Sequence, residues 1–167
     1  MKFSRSLAYI AMVSCALLVI AIIFAPSIMA FVGEPAGISG LSYLIFRPLC
    51  HQDPARSFWL AGMPLPVCAR CLGIYVGALI GLLVFGPVRG IETRKPFPRN
   101  WLIICLAPLL VDGMANALGL FATPAMLRAL IGLAAGMATA GALIPGVNQM
   151  LDIIHYKPLT RDEYAKP

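Results

Sequence analysis

The stretch CARCLGIYVGALIGLLVFGPV, residues Cys68 to Val88, decides the fold. Arg70 is its only charged residue, and as a helix it would span about 30 Å, the thickness of a bilayer's hydrocarbon core. Gly73, Gly77 and Gly81 recur every four residues, so they form one smooth stripe along that helix. In lipid such small-residue stripes mark close helix pairing. The two cysteines at its start, two residues apart around Ala69-Arg70, put chemistry where the chain enters the membrane.

Working outward, the same apolar signature recurs at Leu7 to Phe31, Trp101 to Phe121 and Ala125 to Ile144. The first run ends in Ser27-Ile28-Met29-Ala30, which loosely resembles a signal cleavage site. It is longer than the roughly 7 to 15 apolar residues of a secretory signal, so it reads as a span. Gly86-Pro87 ends the second span, and Thr123-Pro124 forms a tight link before the fourth. Gly132 and Gly136 repeat the small-residue pattern there, and Pro145-Gly146 is expected to break or kink that helix. Sixty per cent hydrophobic and only 12% charged residues agree with this reading, as does a mean hydropathy of +0.86. A soluble domain carries about 25% charged residues. The expectation is an all-α membrane protein: one domain over residues 1–167, a four-transmembrane-helix bundle with a Cys/His-containing outer loop, 33–67, between helices 1 and 2, and a cytoplasmic tail, 146–167.

The net charge of +6 is spread over the ends of the apolar runs rather than gathered on one face. That excludes a nucleic-acid binder and gives a topology signal. With the N-terminus inside, inner segments hold Lys2, Arg5, Arg89, Arg94, Lys95, Arg99, Lys157, Arg161 and Lys166. Outer segments hold Arg47, Arg56, Arg70 and Arg128. The asymmetry predicts a multi-pass protein of the cell (inner) membrane with both termini cytoplasmic and the cysteine loop outside, where thiols can be oxidised. The bilayer is the expected partner, and the glycine faces suit a homo-oligomer or a larger membrane complex.

Cys50-His51 and Cys68-Ala-Arg-Cys71 place three of the five cysteines and one of the two histidines around one outer loop. Phe58-Trp59-Leu60 and Met63-Pro64-Leu65 flank Ala61-Gly62, which predicts a hairpin that brings the two halves together. The metal reading takes Cys50, His51, Cys68 and Cys71 as a Cys3His set for tetrahedral zinc, with three sulfurs and a water as its variant. The redox reading takes the CxxC at a helix start, where the macrodipole and Arg70 favour the thiolate. Its layout resembles DsbB-type quinone-linked thiol oxidases and implies a quinone, although the second outer loop, Ala122 to Pro124, lacks their second cysteine pair. A plain disulfide staple is the bland alternative. Cys50 and Arg56-Ser57 also match the skeleton of a cysteine-phosphatase loop, but the residues between lack glycine, and Pro54 and Asp53 oppose phosphate binding there.

Asp112 falls in the middle of the third span, where a carboxylate costs about 2.5 to 3.5 kcal/mol on the insertion scale. Asn116 lies one turn on, along the same face. Asp112, Arg56 and Arg70 are the candidate catalytic residues, and an ion pair of Asp112 with Arg70 or Arg128 that only holds helices together is the structural alternative. Cys15 and Cys105 read as buried small apolar residues. His155 reads as interfacial.

These residues identify a resemblance. Cys50-His51-Gln52, Pro54, Arg56-Ser57-Phe58, Cys68-Ala69-Arg70-Cys71 with Gly73, Tyr75 and Gly77, and Pro108 with Asp112-Gly113 resemble the membrane-protein family catalogued as domain of unknown function number 2085. The likeness runs from about Pro48 to Asn116, and Asn116 stands where the family pattern has glutamine. It implies that Cys50, His51, Arg56, Cys68, Arg70, Cys71 and Asp112 belong to one site, and it implies no particular activity.

Overall fold

The computed structural model describes residues 2–33, 37–95, 97–120 and 122–155. Its elements are α1 (Lys2–Val32), α2 (Gly37–Phe46), a 3-10 turn (Pro54–Arg56), β1 (Trp59–Leu60), β2 (Met63–Pro64), α3 (Ala69–Arg89), α4 (Arg99–Ala117) and α5 (Ala125–His155). Four of the helices hold segments long and apolar enough to cross a membrane: Ser4–Val32, Ala69–Arg89, Arg99–Ala117 and Ala125–Ile154. Pro96, Phe121 at the expected end of the third span, and the tail from Tyr156 onward lie outside the described residues.

One expectation is corrected. The cysteine loop does not lie between the first two helices, because α2 forms inside the segment expected to be loop. Ten residues of helix reach only about 15 Å, too short to cross, so hydropathy alone does not separate such a helix from a loop. Packing holds it: Phe46 and Ser42 are buried, and α2 lies against α1. The last helix also differs, since α5 runs through Pro145 to His155. α4 stops earlier than the apolar run does. Gly119 takes a positive φ of 69°, and Leu120 N–H donates to the Ala115 carbonyl while Gly119 N–H donates to that of Asn116. This is a Schellman stop, which glycine permits at no steric cost.

The glycine stripes meet each other. A Cβ at Gly73 would strike Ala129, at Gly77 it would lie 2.8 Å from Leu133 Cα, and at Gly81 2.7 Å from Ala140 Cβ. Gly132 and Gly136 face Arg70 and Ile74 in return. The paired numbers rise together, so α3 and α5 run parallel, in the most extensive helix contact of the molecule. Both stripes are therefore buried within the chain, which removes the basis for an oligomer through those faces. The parallel register also fixes function-bearing positions, because it brings Arg70, near the start of α3, level with the first turns of α5.

The two ends of the bundle are distinct. At one, Arg5 of α1 pairs with Asp152 of α5, and Arg94 of the α3–α4 connection reaches the same carboxylate at 2.7 Å. At the other, the cysteine loop and the α4–α5 link sit together. There Ile23, Phe46, Cys50 and Val67 form a small core joined by Cys68, Cys71, Leu72 and Tyr75.

Candidate metal centre and polar mouth

Local structure carries Cys50 to the start of α3. Its backbone N–H donates to the Phe46 carbonyl at 2.9 Å, folding the chain back after α2. Gln52 has a positive φ of 52°, and its amide donates to the carbonyls of Tyr43 at 2.6 Å and Pro66 at 3.0 Å. One side chain thus ties the loop to both α2 and the approach to α3. Downstream, Ala61-Gly62 turns the expected hairpin with both residues at positive φ, the geometry of a two-residue type I′ loop. Leu60 pairs with Met63 and Trp59 with Pro64, and the Tyr43 hydroxyl donates to the Pro64 carbonyl.

These ties bring three sulfurs together. Those of Cys50, Cys68 and Cys71 lie within 4.8 Å of one another. Tetrahedral zinc with bonds of about 2.3 Å would place thiolate sulfurs about 3.8 Å apart, so the set fits with small adjustment. All five cysteines are unpaired thiols. Cys50 Sγ accepts the Cys68 backbone N–H at 3.2 Å. Hydrogen bonds from the Cys68 and Cys71 side chains hold the Cys50 thiol far below its ordinary value, against the opposing effect of burial. His51 is exposed and is not in the sulfur group. Adjacent residues in this turn point apart, and Cys50 takes the inward direction.

Beside the sulfurs lies a cavity of about 370 Å³. The loop contributes His51, Asp53 and Arg56, and α3 contributes Cys68 and Arg70. Gly113 and Asn116 of α4 and Arg128 of α5 complete it. Asp112 sits behind this wall, 4% exposed. It pairs with Arg70, accepts the Thr123 hydroxyl and accepts Asn116 Nδ2 at 2.9 Å. Arg128 donates to Asn116 Oδ1. Arg56 pairs with Asp53 at 3.1 Å. Cys50 and Arg56 line different cavities, so no phosphatase-type cradle forms around Cys50.

The predicted residues thus fall into two adjoining groups: Cys50, Cys68 and Cys71 hold the sulfur cluster, while His51, Arg56, Arg70 and Asp112 belong to the polar mouth. Cys68 is shared. Sequence reading missed Gln52 as the loop's staple, Thr123 as a partner of Asp112 and Arg128 as a cavity wall. The sequence named Arg128 only as a possible ion-pair partner of Asp112. Its role needs the parallel packing of α3 and α5.

A family model described as predicted membrane protein (DUF2085) matches residues 50–141. The chain belongs to that family. The matched DUF2085 segment begins at Cys50 and takes in the loop, α3, α4 and the first half of α5, leaving α1 and α2 outside. An uncharacterized protein, MJ1492, of Methanocaldococcus jannaschii is 35% identical over 134 residues, covering 77% of this chain and 85% of its own. An uncharacterized protein of Methanothermobacter thermautotrophicus is 34% identical over 95 residues, covering 57% of this chain and 84% of its own. No solved structure matches the chain.

Proposed function

We propose that this DUF2085 protein is a multi-pass protein of the cell membrane whose outer face carries a zinc centre on Cys50, Cys68 and Cys71. His51 or a water supplies the fourth ligand. The centre caps and shapes the polar mouth, in which Arg56, Arg70 and Asp112 are the working side chains. The observation that carries this reading is the convergence of three unpaired sulfurs within 4.8 Å, drawn from a loop residue and two positions 18 and 21 residues later. The charge asymmetry sets the orientation: both termini in the cytoplasm, the sulfur cluster outside.

Zinc would be structural here, fixing the loop to α3 in place of a larger loop core. The protein's own residues then do the rest. Gln52 holds the loop's entry and exit, Asp112 orients Arg70, and Asn116 links Asp112 to Arg128.

A second reading is favoured by one observation. Cys68 is the N-cap of α3 and donates its N–H to Cys50 Sγ, a setting that favours thiolate chemistry. In that reading two of the three thiols give up two electrons and two protons to a membrane quinone, leaving a disulfide and a quinol. Elemental analysis with thiol counting on the purified chain separates the two. One zinc per chain with three thiols protected from alkylation is expected. No metal and a reducible disulfide would overturn the zinc reading in favour of the redox one. A membrane-impermeant thiol reagent should label chelator-treated spheroplasts at the loop; labelling only after the inner face is opened would reverse the orientation.

A further inference from the structure

We infer that the polar mouth is an oxyanion site that takes a phosphate group at the membrane's outer face. The inference rests on the proposed role of this cavity but not on the zinc. Three guanidiniums, from Arg56, Arg70 and Arg128, meet at the cavity together with His51. Two carboxylates answer them, and both are already engaged: Asp53 with Arg56, Asp112 with Arg70. Asp112 has no oxygen free of hydrogen bonds, since its second one takes Thr123 and Asn116.

Arg128 is left over. It is 5% exposed, it donates to the neutral amide of Asn116, and its Nε is buried without any partner. Arg70 Nε is likewise buried and unpartnered. A buried guanidinium whose hydrogen bond goes to a neutral amide, and which shares the single Asp112 charge with Arg70, is costly unless a further anion joins it. The bonds of these three guanidiniums among the described residues go to oxygens, not to sulfur, so the cysteine cluster does not supply that anion. The backbone agrees with the side chains. α3 and α5 run parallel, so the positive ends of both helix dipoles meet at this level, and the first turn of α3 has no side-chain cap.

A cavity of about 370 Å³ is at the small end of ligand pockets and suits a phosphate head rather than a whole lipid. α4 packs on α5, and its contact with α3 is slight. Exposed Ala117 sits on the cavity edge at that gap, which would let acyl chains remain in the bilayer. The shared chemistry is a phosphate group bound by arginines, borne either by a lipid or by a free anion.

The test uses the full chain in two arms: inorganic phosphate titrated calorimetrically in detergent, and nanodiscs of phosphatidylcholine with or without phosphatidic acid, read by native mass spectrometry for retained lipid. Arg128→Gln should lose about tenfold or more in affinity, the effect of one charge-assisted contact. Arg56→Gln, on the exposed rim, should lose about threefold, and Asp53→Asn should gain a similar factor by freeing Arg56. Because Arg56 is exposed and Asp53 half-exposed, these two variants keep the test valid if Arg128→Gln fails to fold. That order in the phosphate arm identifies a free oxyanion; the same order for retained phosphatidic acid alone identifies a lipid headgroup. No binding in either arm, or binding indifferent to all three substitutions, overturns the inference. Cys71→Ser, in the sulfur group but outside the cavity wall, separates it from the zinc reading: it should abolish metal while phosphate binding still follows the arginines. A zinc-free wild type that binds phosphate in this order would sink only the metal centre.

Discussion

Near each end of the bundle one aspartate has two arginines beside it, in different arrangements. At one end Asp152 receives both Arg5 and Arg94 directly, and Arg94 is 56% exposed. The three side chains come from α1, the α3–α4 connection and α5, so they clamp separate segments. At the other end Asp112 receives Arg70, while Arg128 is turned onto Asn116 and a cavity. Charge that is neutralised in place ties a structure together. Charge buried and left facing a cavity points to a ligand.

Substitutions can break that contrast, and the largest effect is expected at the buried carboxylate. Asp112→Asn strands Arg70 and Arg128 together and should cost about 3–5 kcal/mol, read as loss of folded protein in a thermal or denaturant melt. Asp152→Asn should shift the same melt less, since Asp152 and Arg94 are partly open to solvent although Arg5 is buried. Equal losses at the two ends would remove the distinction. Next in size, Gly77→Leu drives a side chain into the Leu133 backbone and should cost about 1–3 kcal/mol by overpacking. The same change at Gly33, which has open space around it but a positive φ of 79°, tests conformation rather than packing and should cost about 1 kcal/mol. Gln52→Ala removes two hydrogen bonds from the cap and should cost about 1–2 kcal/mol. If the cap is an independent unit, that loss should appear as faster exchange of loop amides before the bundle melts.

The spans were legible because hydropathy and length together leave few alternatives, and the glycine stripes because they mark close helix pairing in lipid; that α3 and α5 of one chain are the partners, not a second copy, was not legible. The hairpin was legible in Ala61-Gly62. α2 was not, since a ten-residue apolar helix that docks on α1 has the same composition as a buried loop. The stop of α4 at Gly119 was hidden by apolar residues that continue past it. At the site, the CxxC and Cys50 could be paired from sequence spacing, but the direction of His51 could not, because it depends on which of two adjacent side chains the turn at Phe46 points inward. Arg128 could be named from sequence as a partner for Asp112 but not as a wall of the cavity, for another reason. It lies 58 positions after Arg70, and only the parallel register of two helices makes them neighbours.

The central claim is the zinc centre, and X-ray absorption at the zinc edge on the purified full chain tests it most directly. The account predicts three sulfur ligands at about 2.3 Å and one nitrogen or oxygen, with the sulfur count falling to two in Cys50→Ser if zinc is retained at all. A zinc signal with nitrogen and oxygen ligands alone, or a protein without zinc whose cysteines form a disulfide, would contradict it.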